Sequence, residues 1–518
     1  MAVNQRPRLR STVLAVIVAL LAVPVVRAPA ASAAVPLTGT QPNIVVLLVD
    51  DLPALDDRVL ERLPNIDQTF LQQGVRFTQY FGETPLCCPG RAGFLTGLHT
   101  DHHHVIRNDA ALFDPSMTIA TQVHAAGYYT MLVGKYLNKF DRIAPTVPPG
   151  WDDFEALEPG KTSYGGYYDY EMWINGRASP RFYGKAPESY STDVVGRRTI
   201  KALGNVPADQ PLFAWIAPFA PHTPIIPAPQ DHGDPRCDGI PPWDPPNYNE
   251  ADVSDKPDYV QASPLASGHG YRPGGYALTT TCRSMLAVDD LLGSMQAVLA
   301  AQGRLANTIF ILASDNGMNL GAHRLPAKAA PYANQVPFFV SWPGVLGTDP
   351  RTITETLSNI DLAPTLCEFA GCTMGPYPDG QTSPDGQSFA SILLGTQATL
   401  GRDAILEDSP APDVRLSMPD WYGLLTTPES PLASTGCAAA ATGGCIWHYV
   451  EYETQEVELY DDSDGPCWDW DPSLPGDPCE LTNLASDPAY AAIVAALHER
   501  LAELRSENPP VPPLSHQQ

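Results

Sequence analysis

The chain has 518 residues, with 31 Lys plus Arg against 58 Asp plus Glu, a formal charge of −27. That acidity excludes a general binder of nucleic acid or of anionic membrane. With 44% hydrophobic and only 17% charged residues, and with 54 Pro and 40 Gly spread between apolar runs, the chain supports one large core or two unequal ones, rich in ordered turns, and not a fibre or a disordered tail.

Arg6, Arg8 and Arg10 precede the apolar run 11–26, and Ala31, Ser32 and Ala33 offer a small-residue cleavage site, so residues 1–33 read as a signal peptide. Pro24 and Arg27 cut that run short of the roughly 20 residues of a spanning helix. Cleavage removes Arg6, Arg8, Arg10 and Arg27 and no acid, so the exported, extracytoplasmic chain is more acidic still. No later apolar run is expected to span a bilayer.

Export permits disulfides. Cys367 with Cys372, Cys437 with Cys445 and Cys467 with Cys479 are close pairs, and Cys237 with Cys282 is a possible fourth. Cys87 and Cys88 are adjacent, a strained geometry for a bridge.

Further along, apolar runs end in polar residues suited to chemistry. Run 43–49 stops at Asp50 and Asp51, run 129–133 at Gly134 and Lys135, run 212–220 at Pro221 and His222, and run 308–313 at Ser314, Asp315 and Asn316. In an open, mostly parallel sheet these ends converge on the carboxyl edge, where such folds bind ligands. Helical spacing at 92–98 and 284–302 alternates with the strands and predicts an α/β domain over residues 40–395. The stretch 145–275, rich in Pro, Gly, Tyr and Trp, reads as loops over the sheet edge. Residues 396–510 change character: 447–451 and 456–460 suggest a hairpin and 489–504 an amphipathic helix, a small α+β domain.

The segment 85–97, Pro-Leu-Cys-Cys-Pro-Gly-Arg-Ala-Gly-Phe-Leu-Thr-Gly, resembles the sulfatase signature, with Cys87, Pro89 and Arg91 on its diagnostic positions. Asp50-Asp51, Gly134-Lys135, the Pro-His-Thr-Pro of 221–224, the Ser-Asp-Asn-Gly of 314–317 and Lys328 follow in that family's order, over roughly residues 40 to 505. The Cys-Cys-Pro start, Gly134 to Asn138 and Pro149 to Asp152 further resemble the N-acetylglucosamine-6-sulfatase branch. The resemblance implies an alkaline-phosphatase-like α/β sandwich with a large, mostly parallel central sheet flanked by helices, plus the small C-terminal domain. It also implies hydrolysis of sulfate esters on small molecules or glycans.

Sulfate-ester hydrolysis needs a nucleophile on sulfur, positive charge on the nonbridging oxygens and a proton for the leaving alcohol. By resemblance the nucleophile is formylglycine, made from Cys87 by a formylglycine-generating enzyme during maturation, and Cys88 is not involved. Asp50, Asp51, Asp315 and Asn316 supply oxygens suited to a hard divalent cation such as calcium, with residue 87 facing the same ion. Either acidic pair alone reads as a helix cap or solvated turn; two pairs at two strand ends favour the metal. Arg91 and Lys135 are expected to hold the nucleophile, His222 to bind sulfate or protonate the leaving oxygen, and Lys328 to contact the ester oxygen. Asn108 and His323 are possible substrate contacts, and His102, His103 and His104 read as a surface loop near the rim.

Two departures stand out: Gly90 occupies a position where the family usually has Ser, and Leu137 one where many arylsulfatases have His. Two rival readings remain, a phosphonate or phosphate ester hydrolase of the same superfamily and a noncatalytic sulfated-glycan binder with Cys87 unconverted. The acidic shell favours short or sparsely sulfated substrates.

Overall fold

The computed structural model describes Met1 and residues 40–507, apart from 269, 379, 411–417 and 435–443. The signal-peptide reading, Cys437 and the end of the C-terminal domain at 510 lie outside the described residues.

Ten strands form the main sheet: β1 (Asn43–Val49), β2 (Val75–Phe77), β3 (Tyr129–Lys135), β4 (Asp153–Glu158), β5 (Tyr170–Ile174), β6 (Arg181–Tyr183), β7 (Leu212–Ala217), β8 (Thr308–Ser314), β9 (Phe338–Ser341) and β10 (Arg351–Ile353). Their order is β10-β2-β9-β8-β1-β7-β3-β4-β5-β6. The five central strands β8, β1, β7, β3 and β4 run parallel, while β9 and β5 join them antiparallel on either side.

β1, with the sequence Asn-Ile-Val-Val-Leu-Leu-Val, is buried along its whole length, as a strand covered on both faces must be. Its alternate residues divide the interior. Val45, Leu47 and Val49 join one core with α3 (Ser191–Leu203) and α4 (Thr279–Ala301). Ile44, Val46 and Leu48 join the other with α1 (Cys87–Thr96), α2 (Ile119–Ala125) and α5 (Leu362–Ala370). The period-two pleat of one strand thereby sets which helices lie on which side. Val49 pairs with Ser314 and Gly134 with Ala217, so the chemistry-bearing ends of four strands reach one edge together.

A second, four-stranded antiparallel sheet, β11 (Ala404–Ser409), β12 (Trp421–Thr426), β13 (Trp447–Tyr452) and β14 (Val457–Asp461), follows in simple meander order. One face, with Leu406, Leu424, Trp447 and Leu459, packs on Ile493, Leu497 and Leu501 of α6 (Ala491–Glu507). The other presents Trp421, Val450 and Tyr452 to Tyr259, Leu325 and Ala329 of the large body. The Cys237–Cys282, Cys367–Cys372 and Cys467–Cys479 bridges form as paired in the sequence, and Cys445 is also disulfide-bonded.

Several expectations are corrected. The stretch 145–275 is not only loops: β4, β5 and β6 extend the sheet there and α3 covers it, because its Tyr, Phe and Trp are strand formers half-buried at a sheet edge. α1 begins at Cys87 rather than at 92, since Pro89 within the first turn needs no amide partner. α4, 23 residues long, is apolar and long enough by composition to cross a membrane, against expectation. Its Met285, Leu286, Val288, Leu292, Met295 and Leu299 are buried in the core instead. His102 and His103 lie in a short helix, Thr100–His103, where His102 pairs with Asp385 at 2.7 Å and His103 is buried, so this is not a surface loop.

Candidate active site

Asp50 and Asp51 follow β1, Asp315 and Asn316 follow β8, and Lys135 ends β3. His222 follows β7 after the cis Ala220–Pro221 peptide. Cys87 opens α1, Arg91 lies one turn further on, and Lys328 arrives on the loop after β8. All nine residues named above meet in one hollow at the carboxyl edge of the sheet.

Three local features make this meeting possible. Asp51 sits in the left-handed region, φ 64°, which Asp tolerates better than most residues. This turn lets consecutive aspartates serve the same hollow. Gly134 has φ 119°, and a Cβ there would lie 2.0 Å from the Ala217 carbonyl, so only glycine lets the strand bearing Lys135 close on β7. A Cβ on Gly90 would lie 2.3 Å from the Asp315 carbonyl. The departure from Ser at this position is thus matched by a close approach of α1 to the Asp315 backbone.

The contacts form a lattice of buried charge. Lys135 Nζ lies 2.6 Å from Asp50 Oδ2, and Arg91 Nε donates to Asp315 Oδ2 at 2.8 Å. Arg91 Nη1 donates to the Lys135 carbonyl at 2.7 Å and its Nη2 lies 3.8 Å from Asp50. Asp51 accepts from Asn316 Nδ2 at 2.8 Å and from Lys328 Nζ, and its backbone N–H donates to Asp315 Oδ1 at 3.1 Å. Lys328 Nζ also reaches Cys87 Sγ at 2.9 Å and Asn316 Oδ1 at 3.3 Å. Cys87 Sγ lies 3.8 Å from Asp50 Oδ1. His222 Nδ1 bonds the Thr223 carbonyl at 2.5 Å, which directs Nε2 into the hollow, 3.4 Å from Asp51 Oδ2.

Burial by itself raises a carboxyl pKa, yet here the cations decide. Lys135, then His222 and Arg91, hold Asp50 far below the usual range despite its burial, and Lys328, then His222, lower Asp51. Burial and the neighbouring Asp50 raise Asp315. Burial opposes the charge on His222, but Asp51 and Asp50 outweigh it and raise the group to about 9. The Cys88 thiol is pushed up to about 12, by burial and then by Cys87, and its Sγ accepts from the Asn138 N–H at 3.1 Å. Cys88 therefore stays a thiol, which makes it a poor nucleophile.

Other residues support this site. Asn108 accepts from the Cys88 backbone N–H at 2.9 Å and so braces the start of α1 from behind. Asn359, which carries no sequence signal, accepts from the Glu83 N–H at 2.9 Å and donates to the Gly90 carbonyl at 3.0 Å, tying α1 to the preceding loop. His323 is fully buried and bonds Glu250 at 2.6 Å, so it does not face the hollow. Trp468 and Trp470 belong to the loop closed by Cys467–Cys479.

The donor set fits a divalent cation. Asp50, Asp51, Cys87 and His222 each offer one ligand atom, all within 4.8 Å of one another. The oxygens of Asp315 and Asn316 adjoin them through the contacts above. The Lys328 ammonium already touches Asp51, Asn316 and residue 87, so these groups select positive charge. Carboxylates and one amide are the ligands that calcium or magnesium takes.

A family profile described as sulfatase matches residues 42–372, more than half of the chain. The N-acetylglucosamine-6-sulfatase of Homo sapiens is 28% identical over 512 residues, covering 90% of this chain and 85% of that protein. An arylsulfatase of Volvox carteri is 30% identical over 370 residues, covering 64% of this chain and 56% of that one. Among solved structures, BT4656 in complex with its substrate D-glucosamine-2-N,6-O-disulfate superposes with a TM-score of 0.70 at 21% identity, covering 92% of this chain and all of that one. A phosphonate monoester hydrolase of Agrobacterium radiobacter gives 0.63 at 22% identity, covering 90% and 96%.

Proposed function

Because the chain belongs to the sulfatase family of hydrolases, we propose that it cleaves sulfate monoesters of short amino-sugar glycans, with residue 87 converted from Cys to formylglycine as the nucleophile. One observation carries the orientation of the reaction. His222 and Lys328 have side chains 21% and 15% exposed, whereas Asp50, Asp51, Arg91, Lys135 and Asp315 are at most 4% exposed. The ester thus enters past His222 and Lys328, with sulfate innermost and the sugar toward solvent.

In this reading Lys135 keeps Asp50 ionised, and Lys135 and Arg91 fix Asp50 and Asp315 around residue 87. Lys328 Nζ, 2.9 Å from the residue 87 side chain, meets the ester oxygen. His222, whose Nε2 points into the hollow, delivers a proton to the leaving alcohol. The amides opening α1 add positive potential at residue 87. Asp50, Asp51, Asp315 and Asn316 would hold one divalent ion, which we assign as calcium, and bound there it supplies positive charge for the nonbridging oxygens. Formylglycine, as its hydrate, supplies an oxygen nucleophile at residue 87 in place of sulfur; a formylglycine-generating enzyme is the partner this requires.

The amino-sugar assignment is supported by the human relative, similar over 90% of this chain. We also assign residues 1–33 to a cleaved export signal, in keeping with the disulfides, and place the boundary between catalytic and C-terminal domains at about residue 395.

The test compares turnover of N-acetylglucosamine 6-sulfate, nitrophenyl sulfate and a nitrophenyl phosphonate ester by the secreted protein, with the mass of the peptide containing residue 87. We expect formylglycine at 87 and the amino-sugar sulfate as the preferred substrate. Faster phosphonate cleavage would reassign the enzyme, and an unmodified thiol with sulfated glycan bound but not cleaved would make it a binder.

A further inference from the structure

We propose a second divalent-cation site, of the zinc class, formed by His448, Asp462 and Glu480 with Glu407 beside them, at the seam between the C-terminal sheet and the large body. The four residues come from separate elements. Glu407 lies on β11, His448 on β13, and Asp462 directly follows β14. Glu480 follows Cys479, which the bridge to Cys467 returns to the sheet.

His448, Asp462 and Glu480 each offer one ligand atom, all mutually within 4.8 Å. His448 Nδ1 lies 2.5 Å from Glu480 Oε1, and Nε2 lies 3.1 Å from Glu407 Oε2. The side chains of His448, Glu407 and Glu480 are 5%, 2% and 9% exposed. His448 Nε2 and Glu407 Oε2 meet only each other, and the buried Asp462 Oδ1 makes no hydrogen bond. Polar atoms buried without partners are costly unless something else meets them. A cavity of about 140 Å³, lined in part by these four residues, leaves room for an ion and a few waters.

The donors decide the class of ion. One imidazole among carboxylates suits zinc or its transition-metal neighbours, whereas calcium prefers oxygen alone. The second Glu480 oxygen lies 4.0 Å from Nε2 of His323, so the cluster borders the large body.

The competing arrangement is a plain ion triad, an imidazolium held between Glu407 and Glu480, which leaves the buried Asp462 oxygen unpartnered. Calorimetric titration of zinc into untagged protein, stripped with chelator and then saturated with calcium, separates the two. We expect one zinc equivalent to bind the wild type. Asp462→Asn and Glu480→Gln should each weaken it by about tenfold or more, with turnover at saturating calcium unchanged in Asp462→Asn. No zinc uptake by the wild type, or equal uptake by both variants, would overturn the site in favour of the ion triad. Should a variant fail to fold, anomalous diffraction at the zinc edge from zinc-soaked wild-type crystals decides alone. A peak between His448, Asp462 and Glu480 supports the site, and none there overturns it.

Discussion

The hollow around Cys87 and the seam around His448 are both buried and both charged, yet they balance charge in opposite senses. In the hollow, Arg91, Lys135, Lys328 and His222 surround Asp50, Asp51 and Asp315, and every carboxylate touches a fixed cation. In the seam, Glu407, Glu480 and Asp462 crowd one imidazole. The first arrangement matches each carboxylate with a cation while leaving cationic groups at its mouth, as an anionic ester requires. The second gathers acid with too little base, as a cation requires. Burial alone distinguishes neither; the sign of the surplus does.

The largest expected effect lies in the hollow. Cys87→Ala should lower kcat/KM on an activated sulfate ester by roughly 10⁴-fold or more, while Cys88→Ala stays within about threefold, with circular dichroism showing both folded. Equal losses would remove the distinction drawn between the two thiols.

Next comes the cost of breaking each balance. Asp50→Asn strands Lys135 and Arg91 without their shared carboxylate, and urea unfolding of calcium-stripped protein should show a loss of about 3–5 kcal/mol. Glu407→Gln should cost only about 1 kcal/mol in the zinc-stripped protein, because His448 keeps Glu480. Similar values for the two would mean that the hollow and the seam are not opposites.

Gly90→Ser, which restores the usual family residue, should destabilise by about 1–3 kcal/mol through its clash with the Asp315 carbonyl. A raised Tm in thermal unfolding would show instead that α1 has slack to move away from the hollow.

The last test concerns His99, just after α1, which pairs with Glu83. Glu83 and then Asp385 raise His99 to about 9 from 6.5, against its burial. A raised folded pKa contributes stability that is full below about pH 6.5 and is lost as pH rises through about 9. The slope from this group is at most about 1.4 kcal/mol per pH unit. His99→Gln should flatten that limb of the stability profile, and an unchanged profile would leave the pair with Glu83 without energetic weight.

Much of the hollow was legible because an apolar run that stops at an acid or a Lys marks a strand end, and parallel strands bring their ends to one edge. Asp50, Asp51, Lys135, Asp315 and Asn316 all obey that rule. Lys328 does not: it arrives on a loop and meets Asp51 across 277 positions, so only the resemblance identified it. The start of α1 was obscured because Pro89, Gly90 and Gly93 interrupt the helical apolar spacing. β11 went unread because Glu407 and Asp408 break the apolar alternation that marks a strand, and β12 because Gly423 interrupts it. The seam was invisible for a related reason, since its members are lone acids and one His on four separate segments, with no spacing that a metal motif would show.

The loop from Asn319 to Lys328 has a foot in each region: His323 is held by Glu250 beside the seam, and five residues later Lys328 enters the hollow. Trp421 of the C-terminal sheet donates to the Ala329 carbonyl at 2.9 Å, so that sheet braces the loop bearing Lys328 as well as covering apolar surface. Grafting that sheet from one relative onto another should change the turnover number itself, and not merely which sugar is accepted.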